Sequence, residues 1–448
     1  MLSDRWENLS GRNRILSAIL TVSSGTTLVK IAGTAKVMLI ARYYGLSDDL
    51  DAYLISFLIP SFLAEVVAGS ISGALIPRFI SASREGGEWV ARQLLGACLL
   101  LCAGLCLTAA ALAVFAARPV LALVASGFPL AKLDLTYALF LIQVPMILFS
   151  GIAAVGRAVL NALDRFALPA TIPVLTPFVT ILAVVASGDN PGAYPLAAAT
   201  LAGSILEFLA VLWLLRSHGW MPSLRWSKWT DDLNAVVTQY WPLALSSLVL
   251  ASAGYVDQAM AAMLGSGSVS ALTYGGKVVN VFFAVGAVAT STAALPYFSR
   301  MAAERDWTAI RSTLTGFGRL ILFAGVPATG LLILFSAPLV RLLFEGGAFT
   351  RQDSSVVVLV QQMHLIQIPF AILAALVARL ISAFEANRHL LAAATLFFSS
   401  NAILNYLLMQ RLGVAGIALA TSLASALYFG HLMLALFRTG RRWRRHAA

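Results

Sequence analysis

The stretch LVKIAGTAKVMLIARYYG (28–45) sets two ammonium groups, Lys30 and Lys36, inside an apolar run closed by Arg42. An ammonium at the centre of an isolated membrane helix costs about 2.5 to 3.5 kcal/mol, so a chain that keeps two has a use for positive charge in the bilayer. The six-residue offset, at about 100° and 1.5 Å per residue, separates the lysines by about 120° around the helix and about 9 Å along it. Gly33 lies between them and Thr26 on the same arc. A small, polar arc with a cation at each margin suits a water-filled cavity. Its chemistry is anion binding. A phosphate about 4 Å from an ammonium gains about 4 kcal/mol at an effective dielectric near 20, so two or three lysines can hold a pyrophosphate and still release it.

Other charges fall inside apolar segments: Glu65, Glu207, Asp257 in AGYVDQAM, Lys277 in TYGGKVVN, and Arg379. In one reading they are structural ion pairs, Asp257 with Lys277 and Glu65 with Lys30 or Lys36. In the other, cations outnumber acidic partners in the first half, and the surplus awaits a mobile anionic substrate. Asp257 either binds a coupling cation or tethers Lys277.

The elements that must position these groups are membrane helices. The 448 residues are 59% hydrophobic and 11% charged, with a mean hydropathy of +0.85, which places the chain among integral membrane proteins. Apolar length and loop signals predict twelve spans, at about 15–41, 51–80, 92–116, 134–157, 166–187, 194–216, 234–264, 268–298, 312–336, 355–382, 390–411 and 414–437. The first reads as a retained span, since a charged segment precedes it and no small-residue cleavage site follows. With the N-terminus inside, 20 of the 31 Lys and Arg collect on that side and six on the other. Topology therefore accounts for the net charge of +11, and no nucleic acid partner is needed. Cys98, Cys102 and Cys106 share one helical stripe and read as small packing residues.

GSISGALIPRFISASR (69–84) resembles ATSTAALPYFSRMAA (289–303), ARPVLALVASGF (117–128) resembles APLVRLLFEGGAF (337–349), and GRAVLNALDRF (156–166) resembles ARLISAFEANRH (378–389). Three echoes in one order imply two six-helix lobes, related by a parallel pseudo-two-fold axis, with a central cavity between them. The expected organisation is a cytoplasmic N-terminus (1–14), an N-lobe (15–217), a cytoplasmic linker (218–233), a C-lobe (234–437) and a basic cytoplasmic tail (438–448). GGAFTRQDS reads as an outer amphipathic loop or an interfacial gate.

LIARYYGLSDDLDAYLISFLIPSFLAEVVAGSISGALIPRF (39–79) resembles the opening signature of the MurJ/MviN family of lipid II flippases, in the multidrug/oligosaccharidyl-lipid/polysaccharide exporter superfamily. GSVSALTYGGKV (267–278), TAALPYFSR (292–300) and FEGGAFTRQDS (344–354) resemble its later landmarks. The resemblance implies alternating-access flipping of undecaprenyl-pyrophosphate-linked sugars across the bacterial inner membrane. By position, Lys30 and Lys36 fall on arginines of the family's first helix and Lys277 on a third in the eighth. Arg42 and Asp51 match its arginine and aspartate around the first outer loop, and Asp257 an acidic position in the seventh. The family's further arginine of the second helix is replaced by the Ala64 and Glu65 region, and an acidic residue by Ala68. The chain also ends after twelve spans, where peptidoglycan flippases of the family add two. These departures point to a relative carrying another lipid-linked saccharide, as in exopolysaccharide or O-antigen assembly.

The sequence thus predicts a monomeric transporter, not an enzyme. It has no Walker loop, nucleophile elbow or metal-spaced His/Cys cluster. The substrate residues are Lys30, Lys36, Lys277, Arg42 and Asp51, with Asp257, Glu65 and Arg379 as coupling or relay groups. No cofactor is expected beyond a coupling cation, Na+ or H+. Membrane lipids and polysaccharide or peptidoglycan assembly enzymes are the expected partners. The alternatives are a cation-coupled drug exporter, whose cavity should be acidic, and a transport-inactive assembly scaffold acting through RRWRRH.

Overall fold

The computed structural model describes residues 24–188, 192–222, 230–280, 307–383 and 388–447. They are almost wholly helical, as backbone groups must be when hydrocarbon offers them no partner. In chain order the helices are α1 (24–44), α2 (Asp48–Glu85), α3 (Gly87–Phe115), α4 (Ala117–Val124), α5 (Leu130–Gln143), α6 (Met146–Ala162), α7 (Ala167–Ala186), α8 (Tyr194–Ser217), α9 (Asp231–Ala262) and α10 (268–280). They continue with α11 (Thr308–Leu334), α12 (Ser336–Phe344), α13 (Arg351–Leu365), α14 (Ile368–Ala383), α15 (Arg388–Leu412) and α16 (Val414–Ala447).

Among the described residues nine helices are long and apolar enough to cross a bilayer, or ten if α5 and α6, bent by 43°, form one span. Pro145 at the α5–α6 junction accounts for the bend, since its ring excludes the preceding turn's carbonyl. α13 and α14 together supply the span expected at 355–382. The spans expected at 15–41 and 268–298 correspond to α1 and α10, each of which borders residues outside the described set. The 289–303 echo, the N-terminal segment 1–14 and residues 223–229 of the linker lie outside the described residues, as do the side chains of 439–448.

By packing, the chain divides into two units, residues 1–44 with 48–252, and 45–47 with 253–448. The boundary falls within α9, beyond the linker expected at 218–233. Unit 1 is centred on α2, which carries Leu50, Ile55, Ile71 and Leu75 into the interior and packs on α3, α5 and α6. In unit 2, Leu376, Val377 and Leu380 of α14 meet Leu432 and Leu436 of α16. The 117–128 and 337–349 echoes both fold as a short helix after a span, α4 and α12. After α12, GGAFTRQDS forms a tight turn closed by two backbone hydrogen bonds between Gly346 and Phe349, then a capping box in which Thr350 and Asp353 exchange bonds. The three cysteines are free and buried on α3, as their stripe predicts.

Candidate functional site

In unit 1, α1 carries Lys30 exposed and Lys36 half-buried. Gly33 between them faces open space, for a methyl group there would meet nothing within 4 Å. Among the described residues neither lysine forms an ion pair, with Glu65 or any other carboxylate. Glu207 of α8, in the same unit, is a partly buried carboxylate. It is already engaged: Oε1 accepts from Thr176 Oγ1 of α7 at 2.6 Å and Oε2 from Arg157 Nη1 of α6 at 3.3 Å. One turn before Glu207, a Cβ at Gly203 would lie 2.6 Å from Thr176 Cα, so only glycine lets α7 come close enough for that bond. Arg157, counted from the sequence among the inside charges, is partly buried in this network.

Arg42 is exposed near the end of α1. Asp51, in the first turn of α2, has no solvent exposure, and Lys132 Nζ of α5 sits 3.1 Å from its Oδ2. The same ammonium bonds Asp48 and lies 3.9 Å from the centre of the Phe128 ring. The Asp51 carboxylate is therefore turned to an internal cation. Its neighbour Lys132 is a residue that sequence reading assigned to an outer loop.

In unit 2, Asp257 of α9 is buried among neutral polar groups rather than tethered to Lys277. Its Oδ1 accepts from Asn405 Nδ2 at 2.7 Å and its Oδ2 from Thr421 Oγ1 at 3.0 Å. Asn401 joins them, receiving Asn405 Nδ2 at 3.3 Å and donating to Thr421 at 3.2 Å. Asn405 Oδ1 is buried without a hydrogen-bond partner. An orphaned amide oxygen beside a carboxylate, a second amide and a hydroxyl is a donor set that fits a hard cation. No group of three or more His, Cys, Asp or Glu residues suited to a metal occurs among the described residues, so a cation here would rest on the one carboxylate together with amide and hydroxyl oxygens. Lys277 is half-buried on α10 and Arg379 exposed on α14. Sequence reading found Asp257 but missed Asn401, Asn405 and Thr421. The available signal was two asparagines four residues apart in the apolar run LFFSSNAILNYLLM.

The family model for the lipid II flippase MurJ matches residues 40–447. Among curated relatives, the lipid II flippase MurJ of Burkholderia cenocepacia is 28% identical over 349 residues, covering 75% of this chain and 67% of that protein. Its counterpart in Thermosipho africanus is 25% identical, covering 94% and 86%. A solved structure of lipid II flippase MurJ in an inward closed conformation superposes with a TM-score of 0.79 at 25% identity, over 93% of this chain and 87% of that one. An inward-facing multidrug resistance transporter of the MATE family superposes with a TM-score of 0.76 at 14% identity, over 96% and 100%, a likeness of fold alone.

Proposed function

Because the chain belongs to the lipid II flippase MurJ family, we propose that it flips an undecaprenyl-pyrophosphate-linked saccharide, lipid II or an exopolysaccharide- or O-antigen-type unit, across the bacterial inner membrane. It does so by alternating access between two six-helix lobes, with both termini cytoplasmic and no bond made or broken. Lys30 and Lys36 carry this reading: two ammonium groups on one intramembrane helix, neither ion-paired among the described residues. They receive the pyrophosphate; Arg42 on the same helix and Lys277 in unit 2 are the further substrate cations. Lysine keeps the charge and gives up the bidentate fork of arginine, which favours release as well as capture.

The oxygen cluster around Asp257 holds the coupling cation, Na+ or H+, that drives turnover. Asp257 supplies the charge, with Asn401, Asn405 and Thr421 the neutral donors.

The test is charge reversal. Lys30→Glu or Lys36→Glu should abolish glycan export at unchanged protein level, and export at the wild-type rate from either variant would overturn the mechanism.

A further inference from the structure

Two neighbouring hydroxyls on α16 reach different helices. The Thr421 hydroxyl has one hydrogen and two acceptors within reach, Asp257 Oδ2 at 3.0 Å and, one turn back on its own helix, the Ile417 carbonyl at 3.1 Å. The Ser422 hydroxyl, on a residue 1% exposed, donates at 2.6 Å to the Met363 carbonyl of α13. That carbonyl is among the last four of α13, which have no donor inside the helix, and the Gln367 N–H beyond the helix end bonds His364 instead, at 3.3 Å. α13 in turn lies directly against α10. A Cβ at Gly275 would fall 2.5 Å from Val360 Cγ1 and one at Gly276 3.5 Å from His364 Nδ1, and Lys277 follows in the chain. Asp257, the Thr421–Ser422 pair, Met363 with His364, and Gly276 with Lys277 therefore form one contiguous series within unit 2.

We propose that Ser422 is a positioning residue that transmits cation occupancy of the Asp257 cluster through the end of α13 to α10, and so to Lys277. Without the cation, the Thr421 hydroxyl donates to Asp257. A sodium ion on that carboxylate repels the hydrogen and takes the hydroxyl oxygen as a ligand, and the hydrogen turns wholly to the Ile417 carbonyl. A hydroxyl bonded to the carbonyl of the preceding turn bends its helix. The bend adjoins Ser422, which draws with it the Met363 carbonyl and the helix end on which Gly275 and Gly276 rest. This inference rests on the reading of the Asp257 cluster as the coupling site and takes sodium as its cation.

The test uses the purified full-length chain in nanodiscs, in sodium chloride and in choline chloride. The thermal unfolding temperature reports sodium at the cluster, and the ratio of undecaprenyl pyrophosphate affinities in the two salts reports the coupling. In the wild type, sodium should raise the unfolding temperature and change the affinity by about fivefold or more. Ser422→Ala should keep the sodium-induced rise and bring the affinity ratio close to one. A hydroxyl that only stabilised the fold would lower the unfolding temperature in both salts and leave the ratio as it was. A wild-type ratio in Ser422→Ala therefore overturns the inference, as does loss of the sodium-induced rise, which would place Ser422 in the cation site itself. Should Ser422→Ala fail to fold, Gly275→Ala, whose methyl group must lift α10 from Val360, decides by the same two readings. A wild type that sodium does not stabilise overturns the cation reading and this inference with it. One that sodium stabilises without a change in affinity overturns the inference alone.

Discussion

A carboxylate without solvent exposure needs a fixed positive partner, and Asp51 has one in Lys132. Removing the lysine alone leaves a buried charge uncompensated, at a cost of about 3 to 5 kcal/mol, whereas removing both charges is far milder. Lys132→Met should therefore lower the thermal unfolding temperature sharply in detergent, and Asp51→Asn with Lys132→Met should recover most of the loss. If the double variant is no more stable than the single, the pair is not what holds this end of unit 1. At this scale the sequence was legible where a charge interrupts an apolar run. Lys30, Lys36 and Asp257 were found that way. Lys132 and Arg157 were not, because each sits near a predicted helix end, where a cation ordinarily snorkels to the surface and arouses no question. Glu207 stood out as a charge, yet its partners come from α6 and α7, 50 and 31 residues away in the chain. No local pattern joins residues at such separations.

Helices announce themselves by length and hydropathy, and the observed spans follow the predicted ones to within a few residues in most cases. Their irregularities did not show in the same way. The π turn at Ile321–Gly325 directly precedes Val326–Pro327, where the missing proline donor and its ring disturb the regular ladder. The bend at Pro145 has the same origin, and prolines at 60 and 77 sit inside α2 without ending it. Proline marks a disturbance without saying which kind it will be. The α7–α8 contact is the element-scale feature that holds the buried Glu207 network, since the Thr176–Glu207 bond depends on it. Gly203→Val should push these helices apart, costing about 1 to 3 kcal/mol by overpacking. Thermal unfolding in detergent checks this. Wild-type stability in that variant would mean that the contact is looser than described.

At the scale of the whole molecule, family membership and the helical architecture were readable from scattered landmarks in the chain, and the family model confirms the assignment over residues 40–447. The hydrogen-bonded cluster around Asp257 was not readable, because it assembles from α9, α15 and α16 through residues 148 and 164 positions apart. Its neutral members also carry no charge to draw attention. Cation coupling predicts that Asp257→Asn removes the dependence of transport on sodium or on pH, whichever the wild type shows. A variant that keeps the full dependence in vesicles with imposed gradients would place the coupling site elsewhere. The exposure of Lys30 on α1 has one more consequence. A primary amine at an exposed position is a nucleophile that acylating reagents modify under conditions in which a guanidinium is inert. Under the binding role proposed for Lys30 it is its own covalent reporter, and its protection from labelling by a bound lipid would follow occupancy directly, without an engineered probe.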